Sequence, residues 1–363
     1  MRAAIFTSLA AGIYMAIWAY AETLVASQLG IGRFEGALAG VLAGFWLFAR
    51  LEGALVASRR LRSANARRLL FLSSPIVFGA CLSVLPLDTF TGSLLVFSFL
   101  TAYMGALTAS ALSTIYNETD DREWTGAVSV YRALSTLVQV ATFSALMAWS
   151  PEDPPVTIIL PAGVASVIAS TSIRGYIISS ISLKTLDAFA DAAAFMRAPR
   201  RPVLGSDLVR MASAAGGLAA AKMLLLPHAT RDSLFMGLSA YSLGYLAGIL
   251  LALKLRSPRM VSLTSLACLA LSLWTDNSML ALTLVSAALG YSEVAGVLLI
   301  LDYRPRMVSQ ATSLFVVWSI IGAVAVGAFS LALPERAITA TAVVAIIGLL
   351  YAELMGRRER RGF

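Results

Sequence analysis

Apolar runs of membrane length alternate along the whole chain with short clusters of charge and turn residues. A helix needs about 20 predominantly apolar residues to cross a hydrocarbon layer ~30 Å thick. Windows of that length predict spans near 4–27, 35–57, 69–87, 93–115, 126–148 and 156–181. A second set is expected near 207–227, 233–253, 260–274, 279–300, 309–332 and 337–356, the ninth being short. The pattern is that of an all-α integral membrane protein with twelve transmembrane helices, arranged as two pseudo-symmetric six-helix bundles.

The connections test this count, because each missed helix would flip every later loop to the other side. With the N-terminus inside, 20 basic residues fall on the cytoplasmic side and only three, Arg33, Arg231 and Arg336, outside. The inside clusters include Arg59, Arg60, Arg62, Arg67 and Arg68 after the second span and Arg357, Arg358, Arg360 and Arg361 in the tail. Both termini are therefore expected in the cytoplasm, in a multi-pass protein of the cytoplasmic membrane.

Composition agrees. Hydrophobic residues are 58% of 363 positions and charged residues 13%, more apolar side chain than a water-facing surface accommodates. The net charge of +8 sits in short loops, which sets orientation and does not build a nucleic-acid face. Cys81 and Cys268 fall within apolar windows, and His228 is the single histidine, so neither a disulfide framework nor a metal cluster is expected. Arg2, the apolar run after it and Ala19-Tyr20-Ala21 imitate a signal peptide, but cleavage there would delete a whole span.

The longest connection, about 182–206, falls at the midpoint. Leu183, Leu186, Phe189, Ala193 and Met196 recur at helical spacing, with Lys184, Asp187 and Asp191 on another face, before Pro199-Arg200-Arg201-Pro202. An interfacial amphipathic helix is expected there, joining an N-terminal bundle (1–181) to a C-terminal one (207–363).

The halves also resemble each other in their loops. Arg122-Glu-Trp-Thr-Gly-Ala-Val-Ser-Val-Tyr131 aligns without gaps on Arg306-Met-Val-Ser-Gln-Ala-Thr-Ser-Leu-Phe315. Ser58-Arg-Arg-Leu-Arg62 likewise answers Leu253-Lys-Leu-Arg-Ser257. Repeated six-helix halves with a cytoplasmic linker are a transporter architecture. The stretch Gly53-Ala-Leu-Val-Ala-Ser-Arg59-Arg-Leu-Arg62 resembles the "G-x-x-x-D-R-x-G-R-R" loop of the major facilitator superfamily. Ala57 or Ser58 stands where that family has an acid, and the second glycine is missing. The resemblance implies that Gly53, Arg59 and Arg62 belong to a conformational loop, and that helices 1, 4, 7 and 10 border a central cavity.

An ionisable group in hydrocarbon costs several kcal/mol unless it is paired, snorkels or faces water, so each is a functional candidate. Glu22 and Lys222 lie at matching depths near the outer ends of spans 1 and 7, and Arg132 and Glu293 at matching depths near the inner ends of spans 5 and 10. Opposite signs at equal depth predict gate pairs, Glu22 with Lys222 and Arg132 with Glu293, whose protonation couples transport to protons. The plainer account is that each charge pairs within its own half. Arg50 and Glu52, near the inner end of span 2, are expected to lean toward the loop arginines. Tyr14, Trp18, Tyr103, Tyr241, Tyr245 and Tyr291 are candidates for the cavity lining, with helix packing as the alternative for each. Gly36, Gly40 and Gly44 form a small-xxx-small face for close helix contact.

These features point to a secondary active transporter working by alternating access, proton-coupled, monomeric and without a cofactor. Its expected partners are a small solute, protons and the lipid bilayer. No G-x-x-x-x-G-K-[ST] loop is present for direct ATP drive. Arg132 and Lys222 favour an anionic or zwitterionic solute. The competing class is a membrane-embedded enzyme acting on a lipid diphosphate through the acidic stretch Asn117–Glu123, since paired carboxylates can hold Mg²⁺ on a phosphate. A sensor or scaffold that kept the fold and lost transport is a third class.

Overall fold

A computed structural model describes residues 2–28, 35–85, 90–120, 123–149, 154–174, 202–230, 233–255, 257–275, 277–302 and 308–332, apart from a few side chains within the helices. The helices in chain order are α1 (Arg2–Ser27), α2 (Glu35–Arg60), α3 (Ala64–Val84), α4 (Phe90–Glu118), α5 (Trp124–Trp149) and α6 (Pro154–Ser172). They continue with α7 (Pro202–Ala229), α8 (Leu234–Lys254), α9 (Pro258–Trp274), α10 (Ser278–Asp302) and α11 (Val308–Ala332). Each coincides with one of the first eleven sequence windows. The expected twelfth span (337–356) and the amphipathic linker helix lie outside the described residues.

Among the described residues, seven helices are long and apolar enough to cross a membrane, and α6, α9 and α11 contribute shorter apolar stretches. The outward faces are those of a lipid-solvated protein. Leu69 and Ile76 on α3, Leu95 on α4 and Leu160 on α6 are all more than 60% exposed. Hydroxyls on the buried faces turn back on their own helices: Thr7 donates to the Ala3 carbonyl, Thr101 to Phe97 and Ser319 to Phe315. That local bond satisfies a hydroxyl where no water is at hand.

The chain divides into two compact units. One comprises Met1–Gln28, Ala49–Ser182 and Asp232–Ser242; the other Leu29–Phe48, Leu183–Arg231 and Leu243–Phe363. Both α2 and α8 are shared between them.

In the first unit α1 packs against α3, α4, α5 and α6. Its sequence explains the position: Ala3, Ala4, Ala10, Ala11, Gly12, Ala16, Ala19 and Ala21 are all buried, so neighbours approach closely on every side. The cleavage-site lookalike is thus part of a packed core helix. Where α3 begins, Ser63 accepts from the Ala66 amide as N-cap. Arg67, fully buried, donates to Thr114 Oγ1 on α4 at 2.8 Å and to the Arg174 carbonyl at 3.0 Å. Arg68 donates to the Ile173 carbonyl at 3.0 Å. Two cations thereby cap the carboxyl end of α6, where the orphan carbonyls carry the negative end of the helix dipole. Arg67, assigned from the sequence to a loop, is a structural clamp.

Glycines let backbones touch at two equivalent crossings. Between α2 and α4, a Cβ at Gly53 would overlap the Ala102 carbonyl, and a Cβ at Gly105 the Arg50 carbonyl. Between α8 and α10 in the second unit, Gly248 meets the Ala287 carbonyl and Gly290 the Tyr245 carbonyl in the same way. The numbering shift that matches Ser58 with Leu253 also carries Arg50 onto Tyr245 and Gly53 onto Gly248. A second constant shift carries Ala102 and Gly105 onto Ala287 and Gly290. The repeat read from the loops therefore extends into the helix contacts. Gly53 is a helical residue whose missing side chain is required by α4. Arg50, expected to lean toward the loop arginines, has its backbone at this contact.

The second unit also packs α7 against α10 and α11, and α9 against α10. Gly216 on α7 lies on the Ser319 carbonyl of α11. Of the small-residue face predicted on α2, Gly40 lies on the backbone of Gly327 and Gly44 against the Val324 side chain, both on α11; the surroundings of Gly36 lie outside the description.

Forcing a side chain into a crossing costs about 1–3 kcal/mol. Gly53→Val and Gly248→Val are each expected to lower the unfolding temperature of the purified protein in detergent. Gly126→Val, at a position with nothing within 4 Å, leaves it unchanged. Equal melting of all three variants would show that the crossings tolerate expansion.

Candidate functional site: buried polar groups in the two units

Within the first unit the aromatic candidates on α1 reach into the bundle. Tyr14 is fully buried, with Oη 2.6 Å from Ser166 Oγ on α6 and its ring 4.6 Å from that of Phe78 on α3. One turn on, the Trp18 indole donates to Thr101 Oγ1 on α4 at 3.0 Å and stacks on Phe97. Tyr103 on α4 donates to the Leu70 carbonyl of α3 at 2.8 Å and lies 2.9 Å from Ser73 Oγ. Each of these contacts joins helices of the same unit. Packing, the alternative to cavity lining, describes what the three side chains touch here.

The charged candidates of this unit are Glu22 and Arg132. Glu22 is only 2% exposed on α1, far inside an apolar helix. The charge of Arg132, on α5, bears on the hydroxyls of Tyr116 and Tyr131, and that of Arg50 also reaches Tyr131. Arg59 lies in the last turn of α2 with its side chain outside the description, and Arg62 follows it, half-buried. Gln139, a residue without charge or motif to single it out in the sequence, is 1% exposed between α5 and α1. Its amide donates to the Met15 carbonyl at 3.5 Å.

In the second unit Lys222 on α7 is 4% exposed, and Tyr241 and Tyr245 on α8 are buried with it. Tyr245 Oη donates to Glu293 Oε2 on α10 at 2.5 Å, directly beside the α8–α10 crossing. Tyr291 points elsewhere. Fully buried, it donates at 2.8 Å to the Leu255 carbonyl and so caps the end of α8. Glu293 therefore has a partner in its own unit. Each of the two expected gate pairs takes one member from each unit.

The acidic stretch proposed for an enzyme connects α4 to α5; Asp121 and Arg122 lie outside the description. Among the described residues no three His, Cys, Asp or Glu side chains converge as a metal site.

No family model and no curated protein matches the sequence. Solved structures do resemble the fold. The nucleoside transporter NupG matches with a TM-score of 0.63 at 13% identity, over 99% of this chain and 100% of its own. The xylose transporter XylE from E. coli, in a partially occluded inward-open conformation, matches with 0.62 at 12% identity, over 97% and 99%. FucP, a major facilitator superfamily transporter in its outward conformation, matches with 0.56 at 14% identity, over 98% and 99%. At such identities the likeness concerns the fold alone. These neighbours are all transporters, which points to a non-enzyme.

Tyr14→Phe and Tyr291→Phe each remove one buried hydrogen bond, worth about 1 kcal/mol. Both variants are expected to unfold at lower temperature than the wild type in the same detergent. Unchanged melting would mean that these hydroxyls are not part of what holds their units together.

Proposed function

From the premise that the chain has the major facilitator fold, we propose that it is a secondary active transporter of a small solute, driven by protons through alternating access. What supports this most is the combination of that fold with ionisable side chains, Glu22 and Lys222, almost wholly buried in the middle of otherwise apolar helices. A fold needs no such groups to cohere, and hydrocarbon penalises them. The proposal includes the twelfth span at 337–356, a linker at 182–206 between halves 1–181 and 207–363, and a monomer in the cytoplasmic membrane. Both termini face the cytoplasm, as the basic residues of the loops require. The acidic stretch at Asn117–Glu123 is then a solvated loop.

In this reading the four charges work as functionally coupled pairs, Glu22 with Lys222 and Arg132 with Glu293. The cationic members favour anionic or zwitterionic solutes. The decisive experiment is uptake into proteoliposomes across a panel of anionic, zwitterionic and neutral solutes, with and without an inward proton gradient. Accumulation of at least one solute that collapses with the gradient is expected. Uptake indifferent to the gradient removes the proton, and no uptake of any solute favours a sensor that kept the fold. Glu22→Gln and Lys222→Gln should each slow uptake about tenfold or more, equivalent to about 1.4 kcal/mol. Exchanging the two charges (Glu22→Lys with Lys222→Glu) should restore much of it, and independent, additive losses would sink the pairing.

Topology has its own test. Single cysteines introduced beside Arg2 and Arg358 should react with an impermeant maleimide only after the cytoplasmic side is opened. Labelling of either in intact cells would overturn the orientation.

A further inference from the structure

The repeat acts as an internal control on the one carboxylate that the second unit holds beside its glycine crossing. The α2–α4 and α8–α10 crossings share their backbone contacts position by position. The side chains at equivalent places differ. Tyr245 corresponds to Arg50, and the numbering shift that carries Gly105 onto Gly290 carries Thr108 onto Glu293. Thr108 and Glu293 are both half-buried. One unit thus builds this crossing with a threonine where the other places an acid, so packing does not demand the acid. A carboxylate that packing does not require, kept within an apolar helix at a cost of several kcal/mol, calls for a chemical role.

We propose that Glu293 is the proton-binding carboxylate of this protein and that Tyr245 is its positioning residue. The assignment rests on the proton-coupled reading and names the group that carries the proton. Glu293 is half-buried and so reachable by water, whereas Tyr245 is 4% exposed and anchored at the backbone contact with Gly290. The phenol donates to the carboxylate at 2.5 Å, which is the geometry of a charge-assisted bond. One proton taken from water converts the carboxylate to the acid. The phenol then faces a neutral acceptor, to which its bond is about half as strong, and the Glu293 side chain is released. Loss of the proton re-forms the bond. Protonation is thereby converted into attachment or release of one side chain at a fixed helix crossing.

The other titratable groups on helices packed against α10 are Lys222 and His228 on α7, Tyr241 and Lys254 on α8 and Cys268 on α9; the described side chains of α11 include none. At 1.5 Å per residue Lys222 lies about 12 Å from Glu293 along the helix axes, and His228 farther still. Tyr245 is the group that touches the carboxylate.

The test uses the full-length protein in lipid and needs no solute. Infrared difference spectra between neutral and acidic buffer should show the C=O stretch of a protonated carboxyl. That band is expected to vanish in Glu293→Gln and in Glu293→Thr, the residue used at the equivalent position, and to persist in Glu293→Asp. Tyr245→Phe should keep the band and displace its titration midpoint by about 1–2 pH units. A band that survives Glu293→Gln overturns the assignment. So does a Glu293→Thr variant that fails to fold, since the carboxylate would then be structural; Glu293→Gln, nearly its isostere, supplies the reading in that event. An unmoved midpoint in Tyr245→Phe overturns the role of the phenol. Uptake indifferent to a proton gradient, with the band intact, sinks the coupled-transport reading alone.

Discussion

Direct contact between helix backbones is the constraint on which the rest of this architecture depends. In a membrane, apolar side chains gain little by leaving lipid for protein, so helices associate through close packing and hydrogen bonds. The crossings of α2 on α4 and of α8 on α10 meet that demand with glycines that bring carbonyls against the facing backbone. The central place of α1 follows the same rule, since its circumference of alanine, glycine and serine lets α3 to α6 close around it. Once backbones are in contact, the positions of the neighbouring side chains are fixed to within their rotamers. That is why Tyr245 meets Glu293, and why Tyr14 and Trp18 find Ser166 and Thr101.

Much of the fold is legible in the sequence because the bilayer imposes a length. The windows 35–57 and 233–253 correspond to α2 and α8 within a few residues, and the charge clusters mark where helices end. The internal repeat is legible as well, first in the loops and then, with the glycines in hand, inside the helices.

The candidate site is less legible, for a geometric reason. Sequence spacing gives the depth of a residue and which residues share a face, but not the direction in which that face points. Tyr14 and Trp18 do share a face, yet α1 is enclosed on all sides, so the face meets other helices of its unit. Depth alone matched Glu293 with Arg132, whereas the partner described within its own unit is a tyrosine on α8. Arg67 was hidden by its company. Surrounded by loop arginines in sequence, it takes its acceptors from α4 and from the end of α6, over 100 residues away.

The Arg67 clamp has a consequence for biogenesis. The guanidinium enters the membrane region with α3, but its carbonyl acceptor at Arg174 is synthesised 107 residues later. Until then the charge has to keep water or lipid headgroups as its partners, which holds the leading end of α3 at the surface of the bilayer. Arrival of α6 removes that requirement and lets the end of α3 become buried. The closing of the first unit is therefore timed by its own last helix, and a chain that stalled before α6 would display an unsatisfied arginine as the mark of incomplete assembly.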